Sequence, residues 1–209
     1  MPNPGAEPPL LLQLSSDRPD GPVLSEHPQV IGTCTFERVA DYEYAAPGGA
    51  RWLTTHDLAQ WDIDAGEVPE ATAVVYEQIV PARGWLTSEG PVDHGELPAG
   101  VVVLSVTMDV EEDALDAFNG WYDEEHLPTL LAVPGIDAVR RFRAVGGDLP
   151  EAGRHRFLAL YEFESSDLLA TEAWASAAAI TPRNEQVMAH ARRASQLYRQ
   201  VDLGHVARA

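Results

Sequence analysis

Two stretches of the chain read as edited copies of one another, and a repeat restricts the available folds more than composition does. The later copy is the fuller one. Val101 to Asp109 is a β-rich run bounded by Gly100, Glu111 to His126 has helical spacing that Pro128 is expected to end, and Ile136 to Val145 reads as a strand. Gly146 and Gly147 supply a turn, Arg154 to Glu164 alternates like a strand, and Ser166 to Ala179 is Ala-rich and helical. A further helix is expected from about Pro182 to Arg193, and a last strand from Gln196 to Leu203.

The earlier copy keeps the order with one piece missing. Leu10 to Ser15 is a strand, His27-Pro28-Gln29-Val30 lines up with Val133-Pro134-Gly135-Ile136, and Phe36 and Val39 fall opposite Phe142 and Val145. Gly48 and Gly49 mirror the later glycine pair, and the run from Arg51 to Leu58 matches Arg156 to Phe163 in its alternation. Ser16 to Glu26 holds Asp17, Pro19, Asp20, Gly21 and Pro22, so no first helix fits there. Pro69 to Val80 is expected to supply the second helix of this half. The order β-α-β-β-α-β is that of a ferredoxin-like unit, and the fold class that follows is α+β. Two tandem units, each with one bare sheet face, would bury those faces together as a fused dimeric-type α/β barrel. The expected division is a tail over 1–9, a degenerate half over 10–87, a linker over 88–99 rich in Gly and Pro, and a complete half over 100–209.

Charge and residue usage remove whole classes of function. The chain has 33 Asp and Glu against 14 basic residues, a formal net charge of -19, which repels nucleic acid and anionic membranes. All the basic residues are Arg, so no Schiff base forms and no phosphate-loop lysine exists. The single Cys34 excludes an internal disulfide and thiolate-rich metal sites, which suits a reducing cytoplasm. Apolar runs such as Val101 to Leu104 fall far short of the roughly 18 residues that span a bilayer. Met1 to Pro9 lacks the pattern of a signal peptide. The expected partner is a small molecule, with a homodimer open through an edge strand or the Ala-rich helix.

On a helical wheel stepped at about 100° per residue, Leu115, Phe118, Asn119, Tyr122 and His126 share one face. Asp113, Asp116, Gly120 and Glu124 share the opposite, solvated one. Burying an amide, a phenol and an imidazole costs on the order of 1 to 3 kcal/mol for each group left unsatisfied, so partners or a ligand are required. In one reading these groups converge on a pocket between helix and sheet, with His126 as general acid or base and Asp123 orienting it. In the other, His126 sits in the last turn to satisfy helix carbonyls, and Asp123 is a solvated neighbour.

The run Phe118-Asn119-Gly120-Trp121-Tyr122-Asp123-Glu124-Glu125-His126-Leu127-Pro128, followed by Val133-Pro134-Gly135-Ile136, resembles the first-helix signature of EthD-like and related members of the dimeric α/β-barrel superfamily. The resemblance is close from Val101 to Ile136 and loose beyond; the first half shares strand order only. It implies ferredoxin-like units with packed sheets, a pocket between sheet and helices, and a functional role for His126. Members of that superfamily include cofactor-free monooxygenases, cyclases, decarboxylases, isomerases and haem enzymes, so the resemblance leaves the reaction open. One competent pocket per chain is expected, since the first half lacks the motif.

Further candidates lie on strands. Alternation places His155, Phe157, Ala159, Tyr161 and Phe163 on one face, and the repeat aligns Tyr161 with His56, near Trp52. Each of Tyr161, His155, Trp52 and His56 either lines a cavity or is a structural residue. Arg141 and Arg143 share a face and either hold an anionic substrate or pair with the surplus acids. No metal motif is present: Asp123, Glu124 and Glu125 radiate from the helix, and Glu111, Glu112 and Asp113 suit a helix N-terminus. No GxGxxG or GxSxG occurs. The leading expectation is a small enzyme without an organic cofactor, in which His126 moves a proton on an apolar carbonyl or phenolic metabolite as cyclase, isomerase, decarboxylase, dehydratase or monooxygenase. The alternatives are a haem protein with His126 or His155 as axial ligand, and a non-catalytic ligand-binding or stress-related protein.

Overall fold

The computed structural model describes residues 10–15, 30–39, 50–58, 72–81, 85–92 and 101–201. The first part contributes strands β1 (Leu10–Ser15), β2 (Val30–Arg38), β3 (Trp52–Leu58), β4 (Thr72–Val80), β5 (Trp85–Thr87) and β6 (Gly90–Val92). Next come β7 (Val102–Glu111), a 3-10 turn (Glu112–Ala114), α1 (Leu115–Trp121), a π-helical turn (Tyr122–His126) and α2 (Leu127–Leu131). The chain continues through β8 (Ile136–Gly147), β9 (Arg154–Phe163), α3 (Glu172–Ala177), α4 (Pro182–Met188) and β10 (Ala191–Val201).

Eight of these strands close into an antiparallel barrel in the order β4-β1-β3-β2-β10-β7-β9-β8, with β8 pairing back onto β4. The order β4-β1-β3-β2 of the first half recurs as β10-β7-β9-β8 in the second. The β5–β6 hairpin is appended to β8 through Leu86 and Val139. Closure leaves these eight strands no open edge, which is how a sheet of this size satisfies its backbone.

Alternation then sorts side chains into two cores. All eight barrel strands feed an inner one, with Leu10, Leu12, Phe36, Leu53, Val74, Tyr76, Val103, Phe142, Leu158, Leu160 and Tyr198. The outer core lies between β7–β9 and the helices, and includes Leu104, Phe157, Tyr161 and Phe163 under Phe118, Trp121, Tyr122 and Leu127. At the closing seam, Gly147 has φ +84 and a Cβ there would stand 2.3 Å from the carbonyl oxygen of Ala73. Only glycine meets both conditions. Among the described residues no helix is long and apolar enough to cross a membrane.

Several expectations are corrected. The helix expected over Pro69 to Val80 is instead strand β4 from Thr72, because Val74 and Tyr76 fill the barrel and β1 and β8 supply its hydrogen bonds. Pro128 does not stop the helix that begins near Glu112. It occupies the first turn of α2, where its missing N–H is not needed, just after the π-helical turn. The Ala-rich segment breaks at Thr171, whose hydroxyl accepts the Trp174 amide at 3.2 Å and starts α3. The following helix ends at Met188, and β10 begins at Ala191 to pair with β7 along most of its length. Within the expected linker, Gly90–Val92 is a strand. The tail 1–9, Ser16 to Glu26, His27 to Gln29, Gly48, Gly49, residues 69–71 and residues 93–99 lie outside the described residues.

Candidate functional site

The site forms where α1 and the π-helical turn lie over β8 and β9. Period-two alternation sends Arg141 and Tyr161 outward to the helix, while their neighbours Arg140 and Glu162 turn to the barrel side. Arg141, 1% exposed, is the largest fully buried side chain among the described residues. Its guanidinium donates to Asp123 Oδ1 at 2.5 Å and Asn119 Oδ1 at 2.9 Å, and lies 3.9 Å from the centre of the Tyr122 ring. Two acceptors one turn apart and an aromatic face give a buried cation the partners it requires.

Beside this cation the Tyr122 and Tyr161 hydroxyls hydrogen bond to each other. Burial raises the pKa of both phenols; Arg141 opposes this at Tyr122, whereas the neighbouring Tyr122 reinforces it at Tyr161. Both are therefore neutral at physiological pH. His126 is half-buried, stacked on Trp121 with ring centres 4.5 Å apart, and meets the Tyr122 ring edge-on at 4.8 Å. Burial first, then the charges of Arg141 and Arg193, lower its pKa to about 4. At neutral pH the imidazole is uncharged, with a nitrogen ready to accept a proton.

Asn119, Tyr122, His126, Tyr161 and Arg141 thus meet in one place. Asp123 meets them too, but with a different partner from the one expected: its carboxylate binds Arg141 rather than orienting the imidazole. The cause is geometric, since a buried guanidinium on β8 faces the turn that carries Asp123. Arg143 lies further along β8 and pairs with Glu77 at 2.7 Å on the surface. His155 is half-buried at the other end of β9, opposite Val110. Trp52 and His56 are buried on β3, which stands diametrically across the barrel from β9.

Two residues of the site carry no readable signal in the sequence. Trp121 falls off the polar stripe of an ideal wheel, yet it forms the stacking wall for His126. Arg193 adds its charge from β10, a strand reached only through the fold. The helix is fastened by α4, where Thr181 donates to Glu125 at 2.7 Å and Arg183 pairs with Glu124 at 2.9 Å. Elsewhere, Glu111, Asp113 and His190 present ligand atoms within 4.8 Å of one another, but Glu111 is bonded to His190 at 2.8 Å and to Arg154 at 2.5 Å.

Comparison with known proteins places residues 101–196 in similarity to a family described as a domain of unknown function (DUF4286). No curated protein matches the chain in sequence. Among solved structures the chain is similar to an anthrone oxidase-like protein, with 14% identity and a TM-score of 0.56 over 93% of this chain and 91% of that one. It is also similar to a proposed monooxygenase from Lactobacillus acidophilus NCFM, with 8% identity and a TM-score of 0.47 over 92% and 94% of the two chains. The first likeness shows a shared fold, the closed antiparallel barrel.

Proposed function

We propose that this chain is a small enzyme that moves a proton at His126 on a compact phenolic or carbonyl metabolite, without a tightly bound organic cofactor. The observation that carries this reading is the uncharged, half-buried imidazole held between Trp121 and the Tyr122–Tyr161 pair, next to a buried cation. When the imidazole accepts a proton from a carbon or oxygen acid, negative charge develops on the substrate. Arg141 and Arg193 then favour that anion, and the anion offsets the repulsion those arginines exert on the imidazolium. Within the neutral tyrosine pair one hydroxyl donates to the other, and the second keeps its proton as a donor for the same oxygen. Trp121 supplies an aromatic wall against which a planar ring stacks.

The fold shared with an anthrone oxidase-like protein supports the oxygenation branch of this chemistry, with dioxygen as the oxidant. A methylene flanked by aromatic rings would lose a proton to His126, and the carbanion would reduce dioxygen. One oxygen atom then stays on carbon as a carbonyl and the other leaves as water, so that R2CH2 and O2 give R2CO and H2O. The repeated strand order supports reading the barrel as two ferredoxin-like units fused in one chain, as the run from Phe118 to Pro128 suggests by its EthD-like resemblance.

The test is turnover of anthrone in air, followed by the absorbance of the quinone product and by its uptake of label from 18O2. His126→Ala is expected to lower the rate about 100-fold or more, the range for removal of a general base, with little change in thermal midpoint. Equal turnover by the two proteins would overturn the reading.

A further inference from the structure

Two groups at the edge of the site face solvent. Neither ring nitrogen of His126 has a hydrogen-bond partner among the described residues, and neither is sealed from the surface. Arg193 is exposed, and no carboxylate among the described residues binds it. That is out of pattern in a chain with 33 acids to 14 bases. Its neighbour Arg192 pairs with Glu151 at 2.9 Å, and Arg154, Arg156 and Arg183 are likewise held by acids.

Strand register brings Arg193 to the helix side of the sheet. It lies opposite Met108 of β7, and Met108 lies opposite Phe157 of β9, on whose ring Phe118 of α1 packs at 5.0 Å. Two strand spacings of about 4.8 Å each therefore separate Arg193 from Phe157. Arg141 approaches Phe157 from the other flank, with its guanidinium 5.8 Å from the ring centre. The charges of both arginines act on His126, Tyr122 and Tyr161. The two differ in what they can receive. Arg141 is buried and bonded to Asp123 and Asn119, so its nitrogens are closed to a ligand, whereas the N–H fork of Arg193 is open.

We propose that Arg193 is a specificity-determining residue of the His126 site, and that the ligand is a hydroxylated aromatic acid whose carboxylate it binds. This inference names the substrate class for the proposed function and rests on His126 marking the ligand site, but not on proton transfer there. A net charge of -19 repels anions from the surface as a whole, so an anion gains most where a cation has no acid of its own. A guanidinium matches a carboxylate with two parallel hydrogen bonds, which fixes the orientation of the ring that carries it. The ring hydroxyl then meets an open nitrogen of His126.

The experiment is calorimetric titration of the full chain with 6-hydroxy-2-naphthoate and with 2-naphthol, which share a ring system and a hydroxyl and differ by the carboxylate. The side-chain 15N resonances of His126 are followed in the same samples. Wild type is expected to bind the acid about tenfold more tightly than 2-naphthol at low salt, a factor corresponding to one charge-assisted hydrogen bond. Added salt should reduce that preference, and the acid should shift the His126 resonances. Arg193→Gln is expected to bring the two ligands within about twofold of each other with 2-naphthol affinity unchanged, and Arg193→Lys to restore part of the preference. Arg199→Gln, which removes an exposed arginine further along β10, should keep the preference in full. Equal affinity for the two ligands in wild type, a preference retained in Arg193→Gln, or His126 resonances unmoved by the acid would overturn the proposal. Failure of the His126 reading shows separately, as unchanged turnover in His126→Ala.

Discussion

The outer faces of β3 and β9 share a register, yet they bury their polar groups under different terms. On β9's side the neighbouring Arg141 carries a full charge, and it is tolerated because α1 and the following turn place Asn119 and Asp123 where its nitrogens can reach them. On β3's side the corresponding residues are Thr35 and His56, neither of which is charged at neutral pH. Strand register thus determines where a polar side chain will be buried, while the element lying over it decides whether that side chain can be an ion. A cation without Asn119 and Asp123 would not survive under a helix.

Substitutions on each face in turn measure how far apart the two stand. The largest expected effect is kinetic: His126→Ala should cost about 100-fold or more in turnover, whereas His56→Leu should leave the same reaction within about twofold, as measured by initial rates on anthrone. Such a result would separate the two faces by function.

Acid titration should separate them by stability. His56 has a pKa of about 4 against an ordinary value of 6.5, so the unfolded chain binds more protons between those values. Stability from this group is fully present above about pH 6.5 and is lost as pH falls through 4, amounting to about 3 kcal/mol in all. In urea unfolding at a series of pH values, His56→Leu should gain on wild type by about that amount between about pH 7.5 and about pH 4. Glu162, raised to about 7 by burial and the nearby charge of Asp137, runs the other way. Its contribution is present below about pH 4.5 and lost as pH rises through 7, so Glu162→Gln should be favoured over wild type most at about pH 7.5.

Next in size, Arg141→Met should destabilise by about 2 to 3 kcal/mol through lost packing and lost charge-assisted hydrogen bonds to Asn119 and Asp123. Thr35→Val, the matching change on the other face, should stay within about 1 kcal/mol. Equal losses in chemical denaturation would erase the distinction between charged and uncharged burial. The smallest effect concerns what holds the two halves together. Gly147→Ala should cost about 2 kcal/mol, because the new methyl meets the Ala73 carbonyl and φ is positive there, while Gly146→Ala, whose Cβ would meet only Val75 at 3.7 Å, should cost less than half as much. Thermal midpoints of the two variants check this.

Much of the second half is legible locally. Strands near 102–111, 136–147 and 154–163 show in the sequence because their apolar residues alternate over long runs, and each face of the resulting sheet meets a core. The polar stripe of Asn119, Tyr122 and His126 shows for the same reason, at helical spacing. Thr72–Val80 passes for helix because the run Ala73-Val74-Val75-Tyr76 has no clear period; its partners on β1 and β8 lie far away in sequence. Trp121 escapes the wheel because the π-helical turn next to it departs from ideal spacing.

Residue identity and short-range periodicity specify the chemistry available to this chain: histidine, tyrosine and arginine, no lysine, a strong negative charge, and the order of most strands. They do not specify that Asp123 serves Arg141, that Arg140 and Arg141 part to opposite sides of a sheet, or that His56 is buried opposite Tyr161 across a closed barrel. Those outcomes belong to the tertiary structure. They depend on which strands meet, and hydrogen bonding between strands is satisfied by partners that no local pattern specifies.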